Sequence, residues 1–363
     1  MGRISLKKQI KIMTIQNSLC LVAASAVLLV GNCAWADTVY VSNEDDNNIE
    51  KFTTNEVGTL FAGEFGLPTN GVDGPWGIAF DNAGDLFEAN YNNNTIEKFN
   101  PNGIGSVFAT NGLNSPASIA FDSTGNLFVA NAGDHTIEKF TPDGTASVFA
   151  TTTSFAGGLA CDSAGNLYAS IVSLNRIQKF TTNGVSSVFS NSGLLGSPLG
   201  MAFDIAGNLY VANYSKNTIV KLATNGVVSV FASTGLDNPG GLAFDSVGNL
   251  YAANGVYDTG SIEMFTPSGV ASVYASDLDN PFDLAIQPGL LIFTPKLAIQ
   301  AVGMNAVVSW PVALGTFSLE TTPSLTNLNW NPVLSAPVNN NNGSFVSTNA
   351  TTGSSRFFRL RKN

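Results

Sequence analysis

The sequence predicts an all-β protein: a six-bladed β-propeller closed by strands from both ends of the chain, followed by a small sandwich-like β module. Three observations carry this. A motif returns about every 41 residues, as Ile78-Ala79-Phe80-Asp81, Ile119-Ala120-Phe121-Asp122, Leu159-Ala160-Cys161-Asp162, Met201-Ala202-Phe203-Asp204 and Leu242-Ala243-Phe244-Asp245. Each period holds four short apolar runs separated by turn residues, the signature of a propeller blade. The pattern is also out of phase at its two ends, so that each end supplies what the other lacks.

Residues 75–116 illustrate one repeat. Gly77 to Phe80 is an apolar strand, and Asp81 to Asp85 a turn. Leu86 to Asn90 is a second strand, followed by the polar turn Tyr91 to Asn94. Thr95 to Phe99 alternates apolar and polar, as a half-buried strand does. Pro101-Asn102-Gly103 turns again, and Ser106 to Ala109 is the fourth strand. The Asp-x-x-Gly turn recurs five times. Its Asp suits free backbone N–H groups and its Gly suits positive φ, so turn chemistry explains it; the ligand spacing of a calcium loop is absent.

At the front, Val39 to Asn43, Asn48 to Phe52 and Thr59 to Ala62 match the second, third and fourth strands of a blade. The missing first strand lies at the back, as Pro281 to Ile286, followed by Gln287-Pro288-Gly289 in place of the usual turn. Joining the two gives six blades over residues 37–289 and pairs edges that would otherwise be open.

Gly125-Asn126-Leu127-Phe128-Val129-Ala130-Asn131, with Asp134 to Phe140, resembles an NHL-type repeat, and the resemblance covers all six copies. It implies an NHL-like propeller of the broad group that also holds gluconolactonase-like and virginiamycin B lyase-like proteins. Such a resemblance specifies fold more than activity.

Residues 1–36 read as a secretory signal peptide: basic Arg3, Lys7, Lys8 and Lys11, an apolar Leu19 to Val30, and Ala34-Trp35-Ala36 as a cleavage site. The expected mature chain starts at Asp37, is exported to the periplasm, the cell surface or the medium, and carries no membrane span. It has 12 basic and 26 acidic residues, a net charge of −14. Residues 37–289 account for −18 and residues 290–363 for +4. An acidic propeller repels nucleic acid. Cys161 alone survives signal removal, so no intrachain disulfide is expected. It stands where other blades have Phe80, Phe121, Phe203 and Phe244, and reads as a small core substitute. A monomer is expected.

After about residue 290 the repeat is lost. Ala306 to Trp310, Thr316 to Glu320 and Arg356 to Leu360 read as strands of a small β module. Its pattern resembles a short C-terminal module of secreted bacterial proteins, which suggests surface retention or sorting.

Candidates for chemistry are few. His135, the single histidine, falls in the turn between second and third strands, where Asn94, Asn175 and Asn217 sit elsewhere. A virginiamycin B lyase-like mechanism wants a histidine at the channel mouth, so this is a departure. The gluconolactonase-like members hold a divalent metal near the channel. The two repeat positions that would supply ligands here read Trp76, Ala117, Gly157, Leu199, Gly240, Phe282 and Asn43, Asn90, Asn131, Ile171, Asn213, Asn254. Neutral amides without a carboxylate make poor divalent sites, so no cofactor is predicted. Two acids break the repeat: Glu88 replaces Val or Ala, and Asp283 replaces Gly or Ser. They are expected to converge near Trp76, Asn43 and Asn90, as an acid–base pair or a cation site with Asp283 as its metal candidate. The Asn set caps turns, and can also face the mouth with Trp76 and Phe282 to hold a glycan, peptide or small ligand. The leading expectation is a binding or scaffolding protein acting through the channel mouth. The alternatives are a metal-assisted lyase or lactone hydrolase, and a structural surface protein.

Overall fold

The computed structural model describes residues 37–53, 57–63, 71–255 and 259–288 with their side chains, and the backbone of further strands at 13–15, 18–22 and between 298 and 362. Six four-stranded antiparallel sheets make the propeller. Blade 1 runs Pro75–Phe80, Leu86–Asn90, Thr95–Phe99 and Gly105–Ala109. Blades 2 to 5 repeat this order, with inner strands Pro116–Phe121, Ala156–Cys161, Pro198–Phe203 and Pro239–Phe244. The sixth blade joins inner strand Pro281–Gln287 to Thr38–Asn43, Asn48–Phe52 and Gly58–Gly63. Its seam pairs Leu284 with Val41 and Ala285 with Tyr40, as the phase of the sequence requires.

The core lies between blades. Four of the second-strand aromatics stand edge-on between two rings: Tyr210 meets Phe231 of its own outer strand and Phe244 of the next blade's inner strand, each at 5.0 Å. Tyr40, Phe87 and Tyr168 repeat the arrangement. Such edge-to-face pairs satisfy the ring quadrupoles and add to apolar burial. Phe128 meets only Phe149, because the next blade offers Cys161. Burial pushes the Cys161 thiol up to about 12, so it behaves as a core residue and not as a nucleophile.

Turn chemistry holds the bottom of the ring. The Asp122 carboxylate accepts the N–H groups of Thr124 and Asn126 at 2.9 and 3.0 Å, and Gly125 takes φ 85°. Burial alone would raise the Asp122 pKa, but the donors of Asn126 and Thr124 outweigh it and hold the carboxyl below its usual range. Asp162 and Asp204 behave alike.

Inner strands approach so closely that a side chain rarely fits. A Cβ on Gly77 would fall 2.8 Å from the Ala117 carbonyl oxygen, and one on Gly200 2.7 Å from Gly241 Cα. Each inner strand also carries a register shift just after its first residue, as between Pro116 and Ser118. Bulges re-aim side chains, and here the shift falls at the positions of Trp76, Ala117 and Phe282.

A second unit comprises Met1–Ala34 and Leu291–Asn363. It contains one sheet ordered Ala298–Val302, Asn305–Pro311, Ser344–Ala350, Val338–Asn339. A second sheet is ordered Met13–Ile15, Ser18–Val22, Phe357–Lys362, Phe317–Thr322, Asn331–Pro332. The strands expected at 306–310, 316–320 and 356–360 fall within or next to these. Among the described residues no helix is long and apolar enough to cross a membrane.

Candidate functional site at the channel mouth

The first residues of the inner strands and the turns between second and third strands share one end of the ring, here called the top. Trp76 lies between Tyr91 and Phe282, its ring 4.2 Å from each and within 23° of parallel. Phe155, from the connector entering blade 3, comes within 6.3 Å of the Trp76 ring, tilted at 60° to it. Rings from three blades therefore meet at the mouth. The buried indole N–H of Trp76 is directed at the Glu44 carboxyl without closing a bond of ordinary geometry. Burial pushes the Glu44 pKa up; the indole opposes that and Asp45 adds to it. Glu44 is fixed by Asn280, whose Nδ2 donates to Oε2 at 3.2 Å.

Beneath the rings is a cavity of about 80 Å³, lined by Phe282, Leu199, Ala117, Gly157 and Gly240 above and by Ser118 and Asp283 below. Asp283 is its single ionisable lining residue. Its Oδ2 accepts the Ile78 N–H of the next blade at 3.2 Å, and its Oδ1 accepts the Leu284 N–H at 2.9 Å. Ser118, at the same repeat position, uses its hydroxyl in the same way on Leu159 N–H at 3.0 Å. Burial raises the Asp283 pKa to about 7, against the pull of those two N–H donors. The Asp283 N–H donates to Ser42 Oγ, which donates to the Trp76 carbonyl at 2.7 Å. Cavity acid and mouth aromatic are thus joined through one serine.

Glu88 is elsewhere. Leu86, two residues earlier, packs with Tyr40, Ile49 and Ala62 of the closing blade. By strand alternation Glu88 faces the same seam, not the channel. It is fully buried, in register with Ile78 and Glu97, and neither carboxyl oxygen has a hydrogen-bond partner. Burial, then Glu97 and Asp73, push its pKa well up. The expected convergence of Glu88 with Asp283 is therefore not what the structure presents: one acid lines the cavity, the other is enclosed between sheets.

The asparagines are also occupied. Asn131 accepts the Asn114 N–H at 3.1 Å and donates to Gly112 O at 2.8 Å and Thr136 Oγ1 at 2.9 Å. Asn90, Asn213 and Asn254 make the same three bonds, to connector backbone and to Thr95, Thr218 or Ser261. All four are buried, with their amides spent on holding each connector to its blade. Asn43 instead donates to Asn48 Oδ1, and its own Oδ1, though buried, has no partner. Of the two readings of the Asn set, the geometry follows turn capping. His135 takes the left-handed φ of 62° that asparagine takes in other blades, and its carbonyl accepts Thr152 N–H and Oγ1.

Sequence reasoning missed Tyr91, Phe155, Glu44 and Ser42. Phe155 had a legible signal, standing where Gly74, Ser115, Ser197, Asn238 and Asn280 stand elsewhere. Among the described residues no group of three or more His, Cys, Asp or Glu side chains is arranged to hold a metal ion.

The model of the Virginiamycin B lyase family matches residues 1–264. No curated protein matches the chain. Among solved structures, a chain of a nidogen/laminin complex aligns with TM-score 0.59 at 18% identity, covering 69% of this chain and 98% of its own. Virginiamycin B lyase from Staphylococcus aureus aligns with TM-score 0.52 at 16% identity, over 75% of this chain and 87% of its own. A catalytically inactive form of that lyase, with one histidine replaced by alanine and with quinupristin, gives 0.52 and 16%, over 83% and 94%. At these identities the likeness is one of fold.

Proposed function

Because the chain belongs to the virginiamycin B lyase family, we propose that its propeller binds a ligand at the top mouth, around Trp76 and Phe282. The observation that supports this is the Tyr91–Trp76–Phe282 stack, which breaks the repeat where inner-strand bulges turn side chains towards the axis. Apolar walls beside a few fixed polar groups suit a compact ligand better than an extended surface. The binding test is a glycan and peptide array, followed by titration of Trp76→Ala and Phe282→Ala. At least a tenfold loss of affinity in both variants is expected; unchanged affinity sinks the reading. A purely structural surface role predicts no saturable binding at all.

A second reading, a lyase or lactone hydrolase, draws on family membership and on Asp283, a cavity acid whose pKa of about 7 suits proton transfer at neutral pH. The staphylococcal lyase is inactive with one of its histidines replaced by alanine, whereas His135 here is a turn residue. Assays on quinupristin and on simple lactones, with Asp283→Ala and with elemental analysis for a divalent ion, decide it. Turnover lost in the variant supports catalysis; none in either protein removes it. Export through cleavage after residue 36 is part of the proposal, and mass analysis of the secreted chain tests it.

A further inference from the structure

Independently of any ligand at the mouth, we infer that the seam between blades 6 and 1 holds a calcium ion, bound by Glu88 and Glu97. In blades 2, 5 and 6 the third-strand glutamate stands directly opposite an apolar residue: Glu138 opposite Val129, Glu263 opposite Ala252 and Glu50 opposite Val41. In blades 3 and 4 the pairs are Gln178 with Ala169 and Val220 with Val211. Blade 1 alone sets two acids opposite each other, Glu88 and Glu97. Residues in that relation share a face of the sheet with their side chains in reach, and like charges there repel. Both are buried, Glu88 completely.

Glu97 with Asp73 would by itself be no more than a group of acids. The ligand is indicated by Glu88, whose two oxygens meet no donor although the side chain is sealed between sheets. Buried polar atoms without partners are rare in folded proteins and call for a group that completes them. The charged side chains acting on Glu88 are Glu97 and Asp73, both acids, so the completing group is positive. The Glu97 carboxyl lies against the connector that leads into Trp76: a Cβ on Gly71 would fall 2.7 Å from its Cδ. Asp73 follows two residues on, its N–H held by Asn90 Oδ1 at 2.6 Å. The ion thus ties blade 1 to that connector through two carboxyls with a third acid beside them, not through three acids converging on one point. Two carboxylates balance one divalent ion, so the pair leaves no net buried charge. Calcium accepts about six to eight oxygen donors in irregular geometry, whereas magnesium demands an octahedron and keeps several waters, which a sealed seam does not supply. Ion-free, Glu88 keeps its proton; the ion displaces it.

The test is calorimetric titration of the chelator-stripped full chain with calcium chloride, read beside its thermal midpoint. One ion per chain is expected, with a midpoint raised by calcium and not by magnesium at the same concentration, because an ion that binds only the native state stabilises it. Glu88→Gln and Glu97→Gln are each expected to weaken calcium binding at least tenfold. Glu138→Gln, at the matching position of blade 2, is expected to leave it unchanged. Should the glutamine variants not fold, Glu88→Val supplies the residue of three other blades, and its midpoint is expected to be indifferent to calcium. Absence of calcium binding overturns the proposal, as does a magnesium response equal to that of calcium. Binding that survives in both Glu88→Val and Glu97→Gln also overturns it. Binding lost in Asp283→Ala but kept in Glu88→Val puts the ion in the channel, and the seam site falls.

Discussion

At the scale of single residues, burial gives two carboxyls a pH dependence of the same sign, without donors at Glu88 and against two N–H donors at Asp283. Glu88 keeps a proton because burial between blades leaves its oxygens without donors. Below the ordinary glutamate range both folded and unfolded chains are protonated. Above it the unfolded chain releases a proton that the native chain retains, so stability falls as pH rises, until the native group also ionises. Glu88→Val, the residue of three other blades, is expected to stabilise the protein by about 1–3 kcal/mol at pH 8 and by less at pH 4. Urea unfolding at the two values measures this; a variant less stable than wild type at pH 8 refutes it. Asp283 follows the same sign with a defined window: stability falls from its ordinary range near pH 4 and levels off above about 7. Asp283→Ser keeps an acceptor for Ile78 N–H, as Ser118 does for Leu159, and is expected to flatten that slope. Both acids were legible as breaks in the repeat, but a repeat position alone does not say which face of a blade is sealed and which opens on the channel.

At the scale of elements, four connectors are each held by one buried asparagine: Asn90, Asn131, Asn213 or Asn254. Asn213→Ala leaves the Gly196 N–H and the Leu194 carbonyl without their partner, and is expected to cost about 1–3 kcal/mol. If its loss instead weakens ligand binding with no change in thermal midpoint, the amide faces the mouth after all. The regularity of these asparagines was plain in the sequence. Their orientation was not, because a strand-end amide serves a turn or a ligand equally well until the connector is in place. The bulges are a similar case: nothing in Pro-Trp-Gly-Ile announces a register shift, yet the shift falls at the position of Trp76.

At the scale of the whole molecule, closure depends on one C-terminal strand. A chain stopped after Asn280 leaves Thr38–Asn43 with an open edge and removes Asp283 and Leu284 from the seam. It is expected to lose cooperative unfolding and to associate, whereas a chain stopped after Pro288 keeps a sharp thermal transition. Calorimetry and light scattering separate the two. The sequence by itself determined the blade number, the strand order and the out-of-phase closure, because each rests on periodic apolar runs and turn residues that are local. Only the tertiary structure decided which residues meet. Trp76 and Phe282 belong to different blades and lie far apart in the chain, and Glu88 and Asp283 differ in surroundings through the packing of neighbouring sheets. Contacts between blades are set by the curvature of the closed ring, and no single repeat encodes that curvature.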